Sequence, residues 1–308
     1  MNRKLFAPLL TLLLVTLACA IPGTVTPPDP EPVTTEPVVP PPAAADLTLD
    51  QLRNATYNIT TFSGAPQTVT LADGVYASSS DPMAADYLYV SIGDLVAYGD
   101  LNYDNVPDAA VIIGINAGGT GVFTYIAAVL NVGGSPVHAA SVFIDDRPMI
   151  NSLAIASGEI LAQTVIHGAE DPMCCPNTPV EQGFRLYNGI ELALTRRAGQ
   201  SGGLPRAINV TAPLDLAAVS YPFTVSGSVT VGPFENTLGY NIYTPDNTLV
   251  TSGSVMTDSP NPGDPGNFSL PVDLSAAGVT GRVRIEFVEY SMMDGAVVTL
   301  DSVLVNVP

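Results

Sequence analysis

Residues 223–231 read FTVSGSVTV, in which Phe223, Val225, Val229 and Val231 are apolar and the residues between them are small or hydroxylated. Alternation with a period of two marks a strand that packs one face on a partner sheet. Six comparable runs surround it, at 208–210, 238–243, 249–255, 268–272, 282–290 and 297–307. Seven short strands in about 100 residues predict an immunoglobulin-like β-sandwich over 206–308, here without the usual inter-sheet cysteines.

Upstream, GQSGGLP at 199–205 predicts a hinge. Before it lie further apolar or alternating runs at 87–92, 109–115, 122–130, 137–144, 153–155, 160–166 and 184–186, separated by Gly- and Asn-rich turns. Thr68–Leu71 and Val75–Tyr76 flank Asp73-Gly74, a hairpin signal. A short helix is expected to open this region. Thr48 caps it with Gln51 reciprocating, and Leu47 and Leu52 stand at the positions of a hydrophobic staple. The expected fold is mainly β with two domains: an N-terminal, mostly antiparallel β domain with a short helix over 46–198, and the C-terminal sandwich.

The C-terminal region resembles the immunoglobulin-like domain of bacterial spore-germination proteins. The residues that carry the likeness are INVTAPLDLAAVSYPFTVSGSV, GPFENTLGYNIY, GNFSLPVDL and VEYSMMDG, above all Phe234-Glu235-Asn236-Thr237 and Glu289-Tyr290-Ser291 with Asp294-Gly295. The resemblance implies a non-catalytic module on an envelope protein. On packing grounds alone, Asp294-Gly295 makes a hairpin turn and Phe234 and Tyr290 pack in the core. The N-terminal region resembles a module of uncharacterised bacterial lipoproteins, through NATY at 54–57, GDLNYDNVPDAAV at 99–111, GGTGVF at 118–123 and DPMCCP at 171–176.

The first twenty residues, MNRKLFAPLLTLLLVTLACA, read as an export signal. Arg3 and Lys4 precede an apolar stretch of thirteen residues, Leu5 to Leu17, too short to span a bilayer. Thr16-Leu17-Ala18-Cys19 resembles a bacterial lipoprotein box in which Cys19 is lipidated, although Thr16 stands where Leu is usual. Ordinary cleavage at Ala18-Cys19-Ala20 is the alternative. Residues 21–45 hold nine of the 28 prolines and no aromatic residue, so they predict an extended linker reaching up to ~80 Å at ~3.1 Å per residue.

Formal charge is -19, and loss of Arg3 and Lys4 would leave eight arginines, no lysine and 29 acids. So acidic a surface repels phosphate backbones, which argues against nucleic-acid partners, and the absence of lysine excludes Schiff-base chemistry.

Three places hold candidate chemistry. Asp100, Asn102, Asp104 and Asp108 occupy positions 1, 3, 5 and 9 of a calcium loop, with the carbonyl of Val106 at position 7 and Asn105 where a left-handed turn is needed. Val111 at position 12 lacks the bidentate Glu of an EF-hand. The pattern is nearer the strand-loop-strand loops of FG-GAP repeats, although a single copy builds no propeller. Bound Ca2+ with a structural role is expected, against the alternative of a solvated Asx turn. Cys174 and Cys175 admit three readings: a vicinal disulfide, a soft-metal site with His167, or buried free thiols. His138 and His167 lie in no hydrolase motif. His138 reads as a strand residue, Gly118–Gly121 as a turn, and Asp145-Asp146-Arg147 as a salt-linked turn.

The expected function is that of a non-catalytic bacterial cell-envelope lipoprotein, anchored to the membrane through Cys19. It would have a binding or structural role toward an envelope protein or glycan at the cell surface. The rivals are a metal- or redox-responsive lipoprotein using Cys174 and Cys175, and an enzyme with its site in the first domain.

Overall fold

A computed structural model of the protein describes residues 45–60, 64, 66–201, 204–261 and 263–308. The expected signal segment, Cys19 and the proline-rich tract to residue 44 lie outside the described residues, as do Gly202 and Gly203 of the expected hinge.

The helix α1 (Leu49–Arg53) is followed by β1 (Thr56–Thr60), β2 (Pro66–Thr70), β3 (Val75–Ala77), β4 (Tyr89–Gly99), β5 (Asp108–Asn116) and β6 (Phe123–Val132). Next come β7 (Ser135–Asp146), β8 (Met149–Ala156), β9 (Glu159–Ile166), β10 (Thr178–Tyr187) and β11 (Glu191–Ser201). The C-terminal region holds β12 (Leu204–Arg206), β13 (Ile208–Ala212), β14 (Ala217–Ala218), β15 (Phe223–Val229) and β16 (Thr237–Tyr243). It ends with β17 (Leu249–Met256), β18 (Gly266–Val272), β19 (Gly281–Tyr290) and β20 (Val297–Val307).

The helix forms as its caps dictate. Thr48 Oγ1 accepts the amide of Gln51 at 3.2 Å, and Gln51 Oε1 accepts that of Thr48 at 2.9 Å. Leu47 and Leu52 are both buried in the same core. Among the described residues no helix is long and apolar enough to cross a membrane.

The N-terminal half is built in layers. Strands β3-β4-β5-β6-β7 form an antiparallel five-stranded sheet. Val111, Ile113 and Ile115 of β5 face the core shared with α1 and the β1–β2 hairpin. Ala110 and Ile112 belong to a second core, with Ile160, Val180 and Phe184 of the next sheet. Burial on both faces is why AAVIIGI is apolar almost without interruption. In the C-terminal half, the sheet β13-β15-β18 faces β17-β16-β19-β20 across a core centred on Phe268 and Phe287, whose ring centroids lie 4.5 Å apart. Gly227 is required in β15 because a Cβ there would lie 2.4 Å from both the Asn209 carbonyl and the Phe268 ring.

One sheet runs through both halves. Its ten strands include the path β17-β16-β19-β20-β11-β10-β9-β8, with β12 beside β11 and β14 beside β20. The joint between β11 and β20 is narrow: a single rung pairs Arg197 with Leu300. Two hydroxyls reinforce it, Thr299 donating to the Arg197 carbonyl and Ser302 to that of Thr195, both at 2.8 Å. The described residues form one compact unit. The expected hinge at 199–205 is occupied by the β11–β12 hairpin, in which Gly199 pairs with Arg206.

Several local expectations change in the folded chain. The Asp73-Gly74 turn forms, with φ of 50° and 86°, yet its arms enter different sheets because β2 pairs with β1 and β3 with β4. Asp294-Gly295 does turn the chain between β19 and β20. Phe234 and Tyr290, expected in the core, are 61% and 48% exposed. Their motif is held instead by Asn236, whose Nδ2 donates to the Ser259 carbonyl and whose own carbonyl accepts the Thr257 amide. The rings that do reach the sandwich core are Phe268 and Phe287, with Tyr221, Phe223 and Tyr240 packed against it.

Candidate functional site

The acidic loop between β4 and β5 spends its carboxylates on its own backbone. Asp100 Oδ1 accepts the amides of Tyr103 at 2.6 Å and Asp104 at 3.2 Å, and its Oδ2 accepts that of Asn105 at 2.9 Å. Asn102 Nδ2 donates to Asp104 Oδ2 at 2.9 Å, while Asp104 Oδ1 accepts the Val106 amide at 2.8 Å. Asn105 takes the left-handed conformation, φ 65°.

Asp108, expected among the calcium ligands, is 0% exposed and turned inward. Its Oδ2 accepts the Leu101 amide and its Oδ1 that of Asn131, both at 2.9 Å. Burial raises the Asp108 carboxyl above its ordinary range against the pull of those amides, and Asp104 and Asp100 add repulsion. Asn131 extends the knot through Nδ2, which donates to the carbonyls of Ala45 at 2.9 Å and Pro107 at 3.2 Å. Among the described residues no group of three or more His, Cys, Asp or Glu is placed to hold a metal ion.

Beside this loop the two halves enclose a cavity of about 250 Å3. Its walls include Asn102 and Tyr103 from the loop, Arg185 and Tyr187 from β10, Arg282 from β19 and Leu304 from β20. Arg185 is buried and fully engaged. Its Nη1 donates to the Tyr103 hydroxyl at 2.8 Å and to the Ser157 carbonyl at 2.6 Å, and its Nη2 to Asp215 at 2.9 Å, with Glu159 at 3.8 Å. Arg284, on the same face of β19, pairs with Glu286 and Asn247 and lies 5.4 Å from the Tyr187 ring centre.

Two polar groups of this wall are left over. Arg282 holds its guanidinium 4.0 Å over the Tyr103 ring and has no hydrogen bond or ion pair among the described residues. The Tyr187 hydroxyl is buried without a hydrogen-bond partner among the described residues. Burial pushes that phenol up to about 12, against the lowering effect of Arg284 and Arg185, so it stays a proton donor. Sequence reasoning missed this constellation. Its signal was the RVR of β19, where period two puts Arg282 and Arg284 on the face opposite Val283 and Ile285.

Cys174 and Cys175 are joined by a disulfide on an exposed loop. Asp171 organises that loop by accepting the amides of Gly168 at 2.8 Å and Asn177 at 3.0 Å, together with the Thr178 hydroxyl at 3.1 Å. The loop is tied to the turn after β7. Arg147 grips Asp146 through two bonds of 3.0 and 2.7 Å and donates to the Met173 carbonyl at 2.9 Å, while His167 Nδ1 lies 2.9 Å from Asp145. With each sulfur bound to its neighbour and His167 Nδ1 on Asp145, the Cys-Cys-His group presents no thiolate ligand set.

His138 and Ser141 lie 2.8 Å apart beside another cavity. Nδ1 of His138 accepts the Asn58 amide at 3.4 Å, so Nε2 carries the proton and donates to Ser141. That is the wrong tautomer for a general base toward the serine. Burial also lowers the imidazole to about 4.

Residues 207–296 match the family model of the immunoglobulin-like domain of bacterial spore germination. Those residues form an immunoglobulin-like domain of this kind. No curated protein and no solved structure matches the chain. The match ends before β20, so the strand that joins the immunoglobulin-like domain to β11 lies beyond the matched residues.

Proposed function

We propose that the protein is a non-catalytic bacterial cell-envelope lipoprotein that holds one rigid β body off the membrane for recognition or structural support. The observation that carries this reading is the continuous sheet, which fuses a bacterial immunoglobulin-like domain to the N-terminal half. Two halves that share a sheet suit a spacer or a fixed binding surface. The thirteen-residue apolar segment before Cys19 and the proline-rich tract after it support anchoring and reach. The disulfide at Cys174–Cys175 supports an oxidising compartment.

The test is metabolic labelling with palmitate. Wild type is expected to carry the label and fractionate with membranes, whereas Cys19→Ser loses both. An unlabelled wild-type protein sinks the anchor.

Calcium in the acidic loop belongs to the same proposal, with Asp100, Asn102, Asp104 and the Val106 carbonyl as ligands and Asp108 as the buried post behind them. Millimolar calcium is then expected to raise the melting temperature, and Asp100→Ala with Asp104→Ala to abolish the rise. No shift in the wild type returns the loop to a self-bonded turn.

The exposure of Cys174 and Cys175 favours a second reading, in which the loop responds to thiols. Alkylation of the unfolded, unreduced chain is expected to leave both cysteines unlabelled, with both labelled after mild thiol treatment of the native protein. Two alkylated cysteines before reduction would remove this reading.

A further inference from the structure

Three turns meet at one end of the C-terminal sandwich: those from β15 to β16, from β17 to β18 and from β19 to β20. Register brings them together, because Val229 pairs with Gly266, Thr237 with Met256 and Gly239 with Val288. Five large apolar side chains stand exposed there: Phe234, Met256, Tyr290, Met292 and Met293, the last two 76% and 79% exposed. They are neighbours. Thr237 Oγ1 donates to Met256 Sδ at 3.3 Å, and the Asn236 carbonyl accepts the Thr257 amide, so the loop carrying Phe234 is bonded to the end of β17. Tyr290 lies against β16, since a Cβ on Gly239 would come 3.8 Å from its ring. Single exposed apolar residues are ordinary, whereas a set gathered on adjoining turns marks an interaction surface.

The turns beneath these side chains are firmly built. Gly232 donates to the Asp264 carbonyl at 2.8 Å, and a Cβ on it would come 2.9 Å from the Ser259 hydroxyl, so the first two loops pack on each other. In the third, the Ser291 amide closes the turn on the Ala296 carbonyl at 2.8 Å. Charge then decides what fits. Glu235, Asp258, Asp264 and Asp294 stand among the apolar residues, and none of the four has an ion pair among the described residues. By contrast, Asp215, Glu286, Glu289 and Asp301 of the same half each have an arginine within reach. Arg206, at this end, is held by Glu289. An anionic bilayer and a tip-to-tip pair of this chain would both bring like charge and are repelled. A glycan would meet methionines that offer it no donor.

We infer that this end of the sandwich docks a basic protein segment, one that sets apolar side chains against the rings and methionines and its Lys or Arg groups against the four carboxylates. Unbranched, polarisable methionines adapt to the shape of an apolar anchor, and the faces of Phe234 and Tyr290 attract cations as well as apolar groups. Mixed apolar and basic chemistry in the partner answers both halves of the surface. The inference rests on the reading of the body as a recognition module, and it names the surface and the partner's chemistry. Anchoring has its own readout in acyl labelling, so the two fail separately.

The experiment is fluorescence anisotropy of a labelled amphipathic helical peptide of leucine and lysine, titrated with the full chain carrying Cys19→Ser so that no acyl chain intervenes. Saturable binding that weakens with salt is expected, and none by the counterpart peptide with glutamate in place of lysine. Adding Met292→Ser with Met293→Ser is expected to weaken binding by about tenfold, the loss of two apolar contacts, with the melting temperature unchanged. Glu235→Gln with Asp294→Asn is expected to weaken it severalfold and to flatten its salt dependence. Asp86→Asn with Glu170→Gln removes the same charge from exposed sites in the N-terminal half and is expected to leave binding as it was. The inference is overturned if the lysine peptide does not bind, if the glutamate peptide binds equally, or if either tip variant binds like its parent. Equal weakening by the N-terminal variant overturns it too. Phosphatidylcholine vesicles complete the comparison: retention of the parent chain that the methionine variant loses would assign the tip to a membrane instead.

Discussion

Arg185→Ala is expected to destabilise the protein by about 3–5 kcal/mol, the cost of stranding a buried charge. Glu159 is buried at 3.8 Å from the guanidinium and keeps only the Thr195 hydroxyl, a bond of 2.6 Å, when Arg185 goes. Three further bonds go with it, to Ser157, Tyr103 and Asp215. Asp215 is itself the link to the C-terminal sheet, its Oδ1 accepting the Leu304 amide at 2.9 Å. In a body of this size the loss corresponds to about 10 °C in melting temperature. Scanning calorimetry checks it: one cooperative transition, shifted down as a whole. Glu159→Gln combined with Arg185→Met removes both charges and is expected to recover most of the loss. A fall below about 1 kcal/mol in Arg185→Ala would mean that the carboxylates find water instead.

The second large effect concerns Asp301 in β20. Burial raises its carboxyl to about 6, against the opposing pull of Arg196 and of the Val210 amide, which donates to Oδ2 at 2.8 Å. Arg196 Nη2 lies 3.4 Å from Oδ1, near enough to attract but without a hydrogen bond, which is why the arginine does not win. In the unfolded chain the group titrates at about 3.9. Between those values the folded state holds a proton that the unfolded state has released. Stability from this group is therefore complete below about pH 4 and is lost as pH rises through about 6. The difference amounts to about 3 kcal/mol. Asp301→Asn retains an acceptor for Val210 and cannot ionise. It is expected to be more stable than wild type at pH 8, with the gap closing toward pH 4. Parallel denaturant titrations of the two proteins measure the gap, and a constant difference across that range would refute the account.

Most of the strands were legible because the sandwich and the layered half obey simple periods. FTVSGSVTV alternates over one buried face, AAVIIGI runs apolar through two, and Thr48 with Gln51 announces the helix. What escaped was the piece that joins them. The strand β11, ELALTRRAGQS, carries two adjacent arginines and runs into a glycine-rich segment, so it reads as a solvated approach to a hinge. Only its partner across the sheet, about 100 residues later, makes it a central strand.

The site was partly hidden for the same reason. Asp108 looks like a ligand until Asn131 and Leu101 claim both its oxygens. Phe234 and Tyr290 look like core because apolar residues are often inside, a rule that does not run backwards. Arg185 and Tyr187 share one face of β10, but Arg282 belongs to β19, far later in the sequence, and no local spacing brings it to them.

The Asn131 knot has a mechanical consequence. Any tension drawn along the segment ahead of Ala45 enters the body at the Ala45 carbonyl, where the Asn131 amide grips it, and passes at once to Asp108 and to the centre of the five-stranded sheet. The load thus arrives behind α1, at a post sunk in the interior rather than at a fraying end. Peeling the chain from this end would first have to break the Asn131 contact and then draw Leu47 and Leu52 out of the core.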